Sequence, residues 1–195
     1  MGKKSKLEKF NKLLEKYKSK RDVVKIYRQV TDGEADVYGV IQNMSDTFMQ
    51  LAEQDEFKFN GEVIIRLDHF DSIRCNEYDI TIKSILEGEK HLTKSKPKAT
   101  KVDLSSWATI FTGMMEADIH VIIECEDLKN PTFAIGPIQK VGNKSLKIHN
   151  YNPEGIYDDK PIQIKYKDIT IVRFKDQYSS TFRKYLKEAK GKKKK

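Results

Sequence analysis

No apolar run in this chain approaches the ~20 residues that a membrane-spanning helix requires, so none is expected. A signal peptide needs an apolar core after its first basic residues, and the opening MGKKSK continues into further charge instead. The same opening has the Gly2 of a myristoylation site but carries Lys6 where serine or threonine is wanted. Cysteine is nearly absent. Cys75 and Cys125 each sit inside an alternating apolar run, where a thiol behaves as a small hydrophobe. These absences give the expectation of a reduced, cytoplasmic chain without a membrane partner.

Proline and glycine are scarce too, at 5 and 10, which excludes collagen-like and low-complexity chains. Signatures of catalysis are missing: there is no Gly-rich phosphate loop, no nucleophile elbow and no carboxylate pair on a common element. His69, His91, His120 and His149 are scattered, and none stands at metal-ligand spacing from a cysteine. The expectation is a non-enzymatic protein with no catalytic residue, no metal and no cofactor.

Charge is what the chain has in quantity. Its 195 residues are 34% charged and carry a net +8. That excess is concentrated at the ends, since residues 1–21 and residues 183–195 are each strongly basic, and the body between them is mildly acidic. A basic end invites a nucleic-acid reading because each neutralised phosphate releases counterions. An acidic body invites a protein partner.

The body is written twice. At an offset of 97 the second half lays on the first without a gap, so that Val24 meets Val121, Ile26 meets Ile123, Gly39 meets Gly136, and Ile41-Gln42 meets Ile138-Gln139. The offset drifts to 99 and then 100 further on, pairing Ile73-Arg74 with Val172-Arg173 and Tyr78 with Tyr178. Drift of a residue or two within turns is what an internal duplication produces. Each half reads as five short strands: VVKIYRQV or HVIIECE, ADVYGVIQNM or TFAIGPIQKV, TFMQLAEQ or SLKIHNYN, EVIIRL or PIQIKY, and DSIRC or ITIVRF. The glycines in the second strands suggest a bend, and five bent strands in so short a span imply a small barrel.

Helices flank each barrel. KLEKFNKLLEKYKSK spaces Leu7, Phe10, Leu14 and Tyr17 helically, and DLSSWATIFTGMMEA does the same before the second barrel, with Asp103 as its cap. EYDITIKSIL and QYSSTFRKYLKEA close the two halves. The expected organisation is a basic N-terminal helix at 1–21, a first barrel with its closing helix at 22–88, a lysine-rich linker at 89–103, a second barrel with flanking helices at 104–189, and a basic tail at 190–195.

A helix leading into five strongly bent strands resembles the Sm-like fold, which includes the bacterial Hfq-type proteins, and the tandem pattern is similar to two-barrel bacterial members of unestablished role. Asp46, Thr47, Phe48, Met49 and Gln50 have the spacing of the first Sm motif, with Gln50 where the family has its RNA-contacting Asn. Ile73-Arg74 and Val172-Arg173 supply the Arg of the second motif, with Cys75 and Phe174 in place of its Gly. The resemblance implies a mainly β fold with flanking helices (α+β), two tandem five-stranded Sm-like barrels, and RNA contacts at Gln50, Arg74 and Arg173. The basic ends add Lys3, Lys4, Lys6 and Lys192, Lys193, Lys194, Lys195 as electrostatic contacts. Two readings stand beside RNA association, a protein-interaction or assembly module and a binder of a small nucleotide ligand. Pro161, at the start of a second-half strand, removes a ladder donor and favours a monomer or homodimer over a larger ring.

Overall fold

A computed structural model describes residues 3–30, 33–127 and 129–187, with the backbone alone for residues 3–9 and 33–34. The chain divides into two compact units, Met1–Thr100 and Lys101–Lys195.

The first unit opens with helix α1, Lys3–Lys20. Leu14 lies fully buried on its apolar stripe, and Phe10 packs its ring 4.3 Å from that of Phe70. The helix stops at Arg21, whose φ of 52 reverses the chain, while Lys83 Nζ donates to the last carbonyl, Lys20 O, at 2.8 Å. Five strands follow: β1 Val23–Val30, β2 Gly33–Met44, β3 Phe48–Asp55, β4 Lys58–Arg66 and β5 Phe70–Arg74. Helix α2, Glu77–Gly88, closes the unit behind a capping box in which Asn76 and Asp79 satisfy each other's backbone.

The second unit repeats this order. Helix α3 covers Trp107–Glu116, followed by β6 His120–Cys125, β7 Thr132–Val141, β8 Ser145–Ile148, β9 Ile162–Lys165, β10 Ile171–Phe174 and the short helix α4, Gln177–Phe182. The cap of α3 is Ser106, reciprocated by Thr109, and the expected Asp103 instead accepts from Ser105 N one turn earlier.

The closed barrels expected from the sequence do not form. In the first unit the strands lie in the antiparallel order β5-β1-β2-β3-β4, and in the second in the order β10-β6-β7-β8-β9, so that β4 is no neighbour of β5 and β9 none of β10. Both sheets are open. The expected duplicated barrel is thus replaced by two open sheets of like strand order. Side-chain alternation sets where strands run and which face is buried, but closure depends on whether the outer strands meet, and alternation does not encode that.

Two details set the surroundings of the candidate sites. Strand β3 is buried along Phe48–Ala52 on both faces, and Gln50 is carried into the interior with its neighbours. The stretch 89–103, expected to be a polar spacer, is anchored at several points to the first unit. Leu92 joins the cluster of Val23, Val40, Ile82 and Leu86, and Arg21 Nη2 donates to Lys96 O at 2.6 Å. Gly61 does not lie in a loop before β4 but within it, at φ 84, beside a register shift between Ala52 and Gln54. No helix among the described residues is long and apolar enough to cross a membrane.

Candidate functional site

Gln50, Arg74 and Arg173, expected to contact RNA, are each engaged by partners within their own unit. Gln50 is 0% exposed, and its Nε2 donates to Glu62 Oε2 at 2.6 Å and to Thr100 O at 3.0 Å. Glu62 accepts in turn from Thr100 N at 3.0 Å, so the carboxamide donors are consumed inside the first unit. Arg74 grips Asp79 through both carboxylate oxygens, Nη2 to Oδ1 at 2.8 Å and Nε to Oδ2 at 3.1 Å. Tyr38 OH adds a third bond to Asp79 Oδ1 at 2.8 Å. Arg173 pairs with Glu124 on the adjoining β6.

Glu77 and Asp176 are nearer in sequence to these arginines, yet neither is the acceptor the structure selects. The α2 capping box places Asp79 back against the end of β5, and Asp176 is occupied as the cap of α4, accepting from Ser179 N at 2.8 Å. Lys3, Lys4 and Lys6 lie on the backbone of α1 with side chains outside the described residues. Lys192, Lys193, Lys194 and Lys195 lie outside the described residues altogether.

Among the described residues, other chemically suggestive groups are held apart by partners of their own. Burial pushes the Cys125 thiol up to about 11, aided by the negative charges of Asp168, Glu124 and Glu126, so it is protonated at neutral pH. His149 is held between Gln139 Nε2 and Asp158 O, each 2.9 Å from one ring nitrogen, and stacks on Tyr157 at 4.5 Å. No group of three or more His, Cys, Asp or Glu that could hold a metal occurs among the described residues. Of the aromatics around the fourth strands, Tyr151 is buried, Phe59 packs on the first unit's core and Phe57 is exposed.

One surface does stand out, and summed charge along the sequence concealed it. Between Asp127 and Glu154 there is no acidic residue, and β7, β8 and β9 contain none. Register places Lys140 opposite Lys147, and Lys147 opposite Gln163, so these three form one row on one face. In the next row Ser145 faces Lys165. All four of Lys140, Lys147, Gln163 and Lys165 are exposed, while the alternate residues Leu146, Ile148 and Ile164 point into the core.

Beside this face lies a pocket of about 460 Å³ lined by Asn143, Lys144, Ser145, Gln163, Lys165, Tyr166 and Lys167. Tyr166 is held in that lining by local contacts. Tyr166 sits in a single 3-10 turn, donates its hydroxyl to Gly142 O at 2.7 Å and stacks on Phe111 of α3 at 5.9 Å. Gln163 Nε2 donates to Ser145 Oγ at 3.0 Å across the strands. The signal that would have found the site is the acid-free interval combined with strand register, which converts scattered lysines into neighbours.

Two like charges directly opposed across an antiparallel pair destabilise it. Lys140 and Lys147 are so opposed, with no carboxylate on the same strands to relieve them. Neutral or opposite-sign residues would suit the fold better, so the pairing points to a negative ligand. No family model, no curated protein and no solved structure matches this chain.

Proposed function

We propose that the protein is a non-enzymatic binding module whose second unit takes the phosphate backbone of a single-stranded nucleic acid on the β7-β8-β9 face. The observation that carries this reading is the register-aligned, acid-free row of Lys140 and Lys147, continued by Lys165, Lys144 and Lys167 around the Tyr166 pocket. A flexible polyanion suits separated lysines, each a point charge on a long stem. An aromatic in the lining of the pocket offers a surface for a base, which tolerates any sequence because every base has a π-face. An acidic protein segment would meet the same lysines, but it does not carry an aromatic base at every repeat to stack on Tyr166.

The test is fluorescence anisotropy with a labelled oligothymidylate and an oligouridylate of equal length, over a salt series. Each lysine contact on a single strand adds about 0.7 to the slope of log K against log salt. The triple variant Lys144→Glu, Lys147→Glu, Lys165→Glu is expected to abolish binding at physiological salt. Each single Lys→Gln variant should lower the slope by roughly one contact's worth. Retention of the full slope in the triple variant, or tighter binding of a polyglutamate peptide than of either oligonucleotide, would overturn the proposal.

A stability readout accompanies it. Lys147→Glu converts a like-charge pair into an opposite-charge pair with Lys140, a gain of ~0.2–1 kcal/mol for the fold. The variant should therefore melt slightly higher than the parent while binding more weakly. A lower melting temperature would show that Lys147 is held for the sheet's own sake.

A further inference from the structure

The second unit contains a second site of different shape. At its start β6 has His120 opposite Pro137 on β7, the position that Val23 holds opposite Val40 in the first unit. Val23 is 1% exposed and packs in an apolar cluster. His120 is nearly as buried, at 8%, but its Nδ1 has no hydrogen-bond partner. Leaving a buried polar atom unpaired costs free energy that an apolar residue at the same place would avoid. The ring packs 6.1 Å from that of Tyr151, a contact that does not require its polarity.

The ring also lines a pocket of about 180 Å³ together with Asp118, Lys175, Ser180 and Arg183. Arg183 is fixed in place by donating Nη1 to Asp118 O at 2.9 Å and Nη2 to Asp118 Oδ2 at 2.6 Å. Those two bonds leave Nε and a second hydrogen on each terminal nitrogen. The one carboxylate in the lining, Asp118, is thus already neutralised by the arginine. Ser179 and Ser180 both line the cavity, but the Ser179 hydroxyl donates to Asp176, which leaves Ser180 as the hydroxyl donor.

We propose that this pocket binds a phosphate monoester, with Lys175 supplying net charge and the remaining Arg183 N–H groups, Ser180 Oγ–H and the His120 imidazole N–H supplying directed bonds. Donors approach from three separate elements, the α3–β6 corner, the β10–α4 corner and α4 with the residue following it. A tetrahedral anion with oxygens on several sides uses such an arrangement, while a carboxylate presents only two oxygens in one plane. The site shares no residue with the β7-β8-β9 face, so the two proposals fail independently.

His120 reports occupancy. Burial pushes its imidazolium down, the Arg183 charge pushes it further, and Asp118 opposes them. Lys175 also faces the pocket, and Asp176 stands one residue beyond it. A bound phosphate anion favours the protonated ring, so phosphate should raise the His120 pKa.

The experiment is a long-range 1H–15N NMR titration of the His120 ring in the full chain with inorganic phosphate, ionic strength being held constant with sodium chloride. A saturable shift is expected at millimolar phosphate, with a raised His120 pKa at saturation. His120→Val installs the residue that β1 uses at this place, so it should fold and melt at least as high as the parent. Followed through the amide signals of Ser180 and Arg183, that variant and Arg183→Gln should each bind phosphate at least tenfold more weakly. The triple lysine variant of the β7-β8-β9 face should bind phosphate normally. Equal saturation by acetate, a linear shift identical to that with chloride, or undiminished phosphate binding in His120→Val would each overturn the proposal. So would loss of phosphate binding in the triple lysine variant.

Discussion

Gly136→Ala should come close to unfolding the second unit. A Cβ built on Gly136 would stand 2.1 Å from His149 O and 3.0 Å from His149 C, and both are backbone atoms of the neighbouring chain segment. Nothing there can rotate away. The residue also has φ +155, a conformation that side chains rarely adopt. Overpacking costs ~1–3 kcal/mol and a disfavoured backbone conformation costs a further ~1–3. A total near 4 kcal/mol is a large share of the ~5–15 kcal/mol that holds a small domain folded, and most of it at the lower end. At roughly 4–8 °C per kcal/mol for a domain of about this size, the melting temperature falls by some 15–30 °C.

Gly39→Ala meets the same obstacle in the first unit, 2.0 Å from Ala52 O, without the φ contribution, and should cost somewhat less. Gly113→Ala is the control of opposite sign. A Cβ there meets nothing within 4 Å and sits inside helix α3, so the change should stabilise by ~0.5–1 kcal/mol. Hydrogen exchange of the β7 and β8 amides resolves the second unit from the first. Unchanged protection there in Gly136→Ala would show that the two segments separate without penalty.

The sequence reads those glycines as bends, and the structure finds at each a close approach of neighbouring backbone, whereas the positions of the strands were legible because they follow from alternation. What stayed hidden is what alternation does not carry. Gln50 reads as the polar member of an alternating strand, yet β3 is buried on both faces, and Glu62 and Thr100, remote in sequence, consume its amide. Arg74 reads as a rim cation, but its partner is decided by the register of the α2 cap. The closing helix of the second half ends at Phe182, although its helical spacing continues to Ala189, because Lys187 N donates to Gly155 O at 2.7 Å and draws the chain into another pairing. The lysine face was invisible for a related reason. Its charges are separated along the chain by residues that point inward, and a net charge summed over the body cancels them against acids that lie on other elements.

The remaining large effect concerns Asp79, whose side chain is wholly buried and accepts from Arg74, from Tyr38 OH and from Asn76 N at 2.8 Å. Truncating it strands a guanidinium, a phenol and a backbone N–H together, and breaking a buried pair from one side costs ~3–5 kcal/mol. Because Arg74 remains partly exposed and keeps some hydration, the lower end of that range is expected for Asp79→Ala. Tyr38→Phe removes a single bond from the same carboxylate and should cost ~1 kcal/mol.

The pH dependence separates this account from a mere packing defect. Burial alone would push the Asp79 carboxyl up, but the bonds from Arg74, the Asn76 backbone and Tyr38 outweigh it and hold the group below its ordinary range. A carboxyl with a lower pKa in the folded chain than in the unfolded chain, where it is about 3.9, binds fewer protons when folded. Its contribution is therefore complete above that unfolded value and disappears as pH falls through the folded one. Asp79→Asn keeps the shape and removes the charge. Its melting temperature should lie well below the parent's at pH 7, and the two should converge as pH drops from 4 toward 2. A gap that stays constant over that interval would mean that the loss comes from geometry and that the carboxylate charge contributes nothing to holding α2 against β5.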